Sequence, residues 1–129
     1  MRQTVKFDAT PASARHARDI VRSVVEGQPI GSRILDTALL LTSELVVNAA
    51  KHGKGEVTLE VVLQDKVLRV AVTDGGPGDP IPQHGDEQLH ELGRGLALVE
   101  DLATRWGVAP SGAVGKTVWF ELVYVASVD

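Results

Sequence analysis

VTDGGPGDP, Val72 to Pro80, decides how the chain is read. The run VLRVAV before it, residues 67 to 72, is dense in β-formers, and Asp74 is followed by glycines at 75, 76 and 78 and prolines at 77 and 80. A strand that ends on one carboxylate and then on so much backbone freedom lets a flat ligand approach without meeting a Cβ. An ionised Asp only accepts hydrogen bonds, so the group it suits is a donor such as an exocyclic amine. On these residues alone, a Gly-Pro turn closing a strand fits equally well.

Upstream, EVTLEVVLQ, residues 56 to 64, is a second β-rich run, and the Asp65-Lys66 pair between the two predicts an antiparallel hairpin. Further back, SRILDTALLLTSELVVNAAKHG predicts a long helix capped by Ser32 and stopped at His52-Gly53. Within it Glu44, Asn48 and His52 recur every four residues and share one face among Leu41, Leu45, Val46, Val47, Ala49 and Ala50. An unpaired buried polar group costs about 1–3 kcal/mol, so these residues call for a ligand, a metal or a local network. Taken alone, a narrow stripe in which Glu44 and Asn48 meet water is the favoured reading. The chain opens with a short strand around Val5 and Phe7. Thr10-Pro11 then start a helix with Ala14, Ala17, Val21, Val24 and Val25 on one face and a solvated edge of Arg15, Arg18 and Arg22.

Downstream, GDPIPQHGDEQLHEL, residues 78 to 92, has no sustained periodicity and reads as a long mobile loop. Helical spacing returns through Leu96, Val99 and Leu102 behind Gly93-Arg94-Gly95. Free amides at a helix start favour phosphate, although a lone GxG there more often serves packing. RWGVAP and KTVWFELVYV read as two strands around the turn Ser111-Gly112, with Trp106, Trp119 and Tyr124 as packing residues. His84 and His90 lie near Asp86, Glu87 and Glu91 but lack helical metal-ligand spacing, so a charged loop explains them better than a metal. The element order predicts an α/β two-layer sandwich: a mixed, mostly antiparallel sheet with helices on one face.

At 129 residues the chain fits a single domain, 1–129. A net charge of −4 without a basic run argues against direct nucleic-acid binding. The absence of cysteine excludes disulfides, zinc–thiolate sites and thiol catalysis. No apolar run approaches the roughly 20 residues a membrane span needs. The N-terminus also lacks an apolar signal core, so a cytoplasmic location is expected.

In combination the motifs are far more specific than any one of them. ELVVNAAKHG, DGGPG and GRGLALV resemble, in order, the N-box and the two glycine boxes of the GHKL superfamily, the ATP-binding domain of gyrase, a heat-shock chaperone, histidine kinases and a mismatch-repair ATPase. The resemblance runs from the first strand through GKTVWFEL and implies a Bergerat-type fold that binds ATP with Mg²⁺. It implies Asn48 at the metal, Asp74 at the adenine amine, and Gly76 and Gly78 in the purine pocket. It also implies Thr117 on the adenine side, Gly93 and Gly95 with Leu96 at the phosphates, and residues 78–92 as a lid. Lys51 and Arg94 read equally as phosphate contacts or surface charges. Glu44 takes the place of a catalytic base, with a water-orienting acceptor as its alternative.

His16 lacks the following acidic residue of a phosphoacceptor, and no signal-transmitting domain is evident. The chain resembles the free-standing anti-sigma-factor serine/threonine kinases. That similarity implies three things: a sigma factor as partner, serine phosphorylation of a STAS-type anti-anti-sigma protein, and a homodimer, all in transcription regulation. A non-catalytic ATP-dependent regulator of the same fold is the alternative.

Overall fold

Among the described residues, alternation of apolar and polar residues builds five strands and spacing near 3.6 builds three helices. The computed structural model describes residues 1–10, 12–52, 56–74, 96–110 and 115–126. In chain order its elements are Arg2–Asp8 (β1), Ser13–Val25 (α1), Ser32–His52 (α2), Glu56–Gln64 (β2), Val67–Asp74 (β3), Ala97–Leu102 (α3), Arg105–Pro110 (β4) and Lys116–Val123 (β5). The strands form one sheet in the order β1-β2-β3-β5-β4.

The sheet is the mostly antiparallel one expected, and every neighbouring pair among the described strands is in fact antiparallel. The reason is topological. Two helices in succession between β1 and β2 carry the chain away and back, so β2 returns against β1 rather than alongside it. Strands β3 and β4, which follow one another in the chain and run in the same direction, are separated by β5.

The β2–β3 hairpin forms as expected. Asp65 and Lys66 have φ of 53° and 62°, the left-handed backbone that a two-residue turn needs to match strand twist. The chain end returns to this turn, where the Tyr124 N–H donates to the Lys66 carbonyl at 3.0 Å.

One face of the sheet takes all three described helices. Val57, Leu59, Val61 and Leu63 of β2, Leu68, Val70 and Val72 of β3, and Val118, Phe120 and Leu122 of β5 are buried there. They join a core with Ala17, Val21 and Val24 of α1 and Ala38, Leu41, Leu45 and Val46 of α2. The apolar stripe of α1 is the expected one, but its arginine edge is not wholly solvated. Arg18 is half-buried and donates to Ser43 Oγ on α2 at 2.9 Å.

Thr10 and Ser13 cap α1 reciprocally, each backbone N–H reaching the other's hydroxyl at 3.2 Å. For α2, the Gly31 carbonyl accepts the first helical bond, from the Leu35 N–H. The cap position therefore falls on Gly31, and Ser32 is the first helical residue. In α3, Val99 is buried but Leu102 is 45% exposed, because so short a helix turns only part of its length to the core. Among the described residues no helix is long and apolar enough to cross a membrane.

Among the described residues the other face carries no helix. There Thr73 and Thr117 share a hydroxyl hydrogen bond of 2.7 Å, and the Arg69 guanidinium lies 4.5 Å from the Trp119 ring centre. Gly107 stands opposite Trp119 in the ladder, and a Cβ at that position would come within 2.9 Å of the indole.

Candidate functional site

Strand alternation sorts the site residues onto two faces. In β3 the buried positions run through Leu68, Val70 and Val72 to Asp74; in β5 they run from Lys116 through Val118 and Phe120 to Leu122. Asp74 and Lys116 are cross-strand partners. Lys116 Nζ donates to Asp74 Oδ2 at 2.9 Å, with only 8% and 7% of the two side chains exposed. Removing either partner of a buried pair costs about 3–5 kcal/mol, since the survivor keeps an uncompensated charge.

Thr117, expected on the adenine side, does not share the sheet face of Asp74. Thr117 pairs with Thr73, on the sheet face opposite Asp74. A side-chain period of two is unforgiving: the residue brought to Asp74 is the one before Thr117, which is Lys116.

Helix α2 supplies the second part. Asn48 is 3% exposed, and neither its Oδ1 nor its Nδ2 has a hydrogen-bond partner among the described residues. An amide offers two donors and an acceptor oxygen, so leaving all of them unused inside a helix–sheet core disfavours the fold unless a ligand takes them. Asn48 is therefore closed to bulk solvent, unlike the stripe meeting water that the sequence alone suggests. Glu44, one helical turn earlier, is half-buried, and Lys51 is exposed. Thr42 is a further buried orphan whose hydroxyl has no partner among the described residues. Sequence reasoning passed over it, although the Thr42-Ser43 hydroxyl pair inside ALLLTSELVV was the available signal.

Leu96 is buried at 1% and joins the core with Val99. Gly76, Gly78, Gly93, Arg94, Gly95, His84, His90 and the lid assigned to residues 78–92 lie outside the described residues. Among the described residues there is no group of three or more His, Cys, Asp or Glu that could hold a metal ion. A nucleotide with its cation asks less of the protein than such a cluster, and the residues present fit one. The orphaned Asn48 amide has an oxygen of the kind a cation needs, and a carboxylate such as that of Asp74 is an acceptor of the kind a base amine needs.

Comparison with curated proteins found no match. A family model, described as the histidine kinase-like ATPase domain, matches residues 7–122, a span that includes both halves of the site. The chain belongs to that family, whose membership implies ATP as its ligand.

Proposed function

We propose that the chain is an ATP-dependent regulator that holds a sigma factor and phosphorylates a serine of a STAS-type antagonist protein, working as a homodimer. The observation that carries this reading is Asn48, a buried amide with both polar atoms unpartnered. It stands one helical turn beyond the half-buried carboxylate of Glu44. Family membership supports the nucleotide; the different depths of Glu44 and Asn48 support the division of labour. When bound, ATP with Mg²⁺ supplies the phosphoryl group. Asn48 would hold the metal through its amide oxygen, and Asp74 would accept from the adenine amine. Glu44, open enough to be met from outside, takes the proton of the serine hydroxyl as general base.

The test is transfer of labelled γ-phosphate from ATP to a STAS-type protein. Glu44→Gln should lower the rate by ~10²–10⁴, the range of general-base assistance, with ATP affinity almost unchanged because this carboxylate holds neither base nor metal. Transfer by Glu44→Gln near the wild-type rate would reduce Glu44 to an orienting role. Wild-type protein that binds ATP and its partner without ever transferring phosphate would make the non-catalytic regulator the better description.

A further inference from the structure

The β3–β5 register sets a lysine beside the carboxylate assigned to the base. Asp74 and Lys116 are opposite one another in the ladder, both buried on the helix side, with Nζ and Oδ2 2.9 Å apart. Lysine is almost never kept this dry unless paired. Its ammonium carries three N–H donors, and the carboxylate oxygen takes one of them.

Two neighbouring groups of opposite hydrogen-bonding sense read what one cannot. The edge of adenine sets a donor, the N6 amine, beside an acceptor, the ring nitrogen N1. A carboxylate alone serves only the amine and turns lone pairs toward N1. A carboxylate with an ammonium at hydrogen-bond distance offers an acceptor and a donor side by side, which is the complement of that edge. The pair is also neutral as a unit, so the carboxylate can wait for its ligand inside the core without being an isolated charge.

We propose that Lys116 is a specificity-determining residue of the nucleotide site, its Nζ donating to N1 of adenine while Asp74 accepts from the N6 amine. The assignment rests on the nucleotide reading given above. It excludes Thr117 from this role, since the Thr117 hydroxyl is engaged with Thr73 on the other side of the sheet.

The experiment is calorimetric titration of the full chain with ADP and with 1-deaza-ADP, in which a C–H replaces N1 and the amine is kept. Wild-type protein should bind 1-deaza-ADP about 10- to 100-fold more weakly than ADP, the loss expected for a hydrogen bond from a charged donor. Lys116→Met should bind both nucleotides weakly and alike. The charge-balanced Asp74→Asn, Lys116→Met double variant should also bind them alike, and it keeps the comparison open if the single variant fails to fold. Wild-type affinities for ADP and 1-deaza-ADP within about twofold of each other would overturn the assignment and leave Lys116 a counter-ion. Full discrimination retained by the variants would overturn it as well. Wild-type protein that binds no ADP at all would overturn the nucleotide reading and this inference with it.

Discussion

The β3–β5 ladder holds ionic contacts on both faces, built under opposite conditions. On the helix-free face, Glu121 accepts from Arg105 Nε at 2.7 Å and from Arg69 Nη1 at 3.4 Å, and the arginine side chains are 56% and 35% exposed. On the helix face, Asp74 and Lys116 meet at 2.9 Å with less than a tenth of either side chain exposed. The outer carboxylate has two cations and nearby water, so losing one contact is softened by the others. The inner lysine is a charge moved into the core, where attraction to its partner must offset a desolvation cost of several kcal/mol. Stability alone does not call for such a pair, since apolar residues of similar volume serve a core as well or better. The outer network needs no function to explain it, and the inner pair does.

The largest effect that separates the faces is expected from Lys116→Met. It removes the buried cation beside the Asp74 carboxylate and should cost about 3–5 kcal/mol in urea unfolding. A cost no greater than that of an outer-face substitution would erase the distinction.

Asn48→Leu sharpens it from the other side. Replacing an unpartnered amide by an apolar group removes a desolvation penalty, so the apoprotein should become more stable by about 1 kcal/mol. The same variant should lose the thermal stabilisation that Mg²⁺ and ATP give the wild type. Opposite signs in the two measurements would be hard to reconcile with a purely structural Asn48.

The smallest effect belongs to Glu121→Gln, expected at about 1 kcal/mol or less at neutral pH. The Arg105 hydrogen bond, above all, holds the Glu121 carboxyl below its ordinary value of 4.5, with burial opposing and Arg69 assisting. A lowered carboxyl stabilises the fold when ionised. The contribution is therefore whole above pH 4.5 and lost as the pH falls further, through the lowered value. Wild type and variant should differ at pH 7 and converge in acid, and unfolding curves at several pH values check this.

Much of this was legible in the sequence wherever the information was local. Two β-rich runs either side of Asp65-Lys66 announce a hairpin, because turn length and alternation fix the register together. The buried stripe of α1 follows from spacing alone, and Glu44 and Asn48 share a helix face by the same arithmetic. What was not legible depends on distant segments. Strand alternation within KTVWFELV allows either Lys116 or Thr117 to face Asp74, and only pairing with β3 decides. That is a one-residue question with a 42-residue separation behind it. The insertion of β5 between β3 and β4 is likewise a matter of long-range pairing. Solvation was misjudged at Arg18 and at Asn48 for a related reason: a helix reveals its faces, but not how closely a neighbour covers them.

The Gly107–Trp119 contact has an optical consequence. Trp119 lies over Gly107 and beside Arg69 on the helix-free face, whereas Trp106 pairs with the buried Phe120 and packs against the core on the other. These are the chain's two tryptophans, so its intrinsic emission divides between one fluorophore on each side of the sheet. A Trp119→Phe protein leaves the emission of the helix side, and a Trp106→Phe protein leaves that of the bare side. Light from one or the other can then tell which side of the sheet a ligand or partner has reached, without any added label.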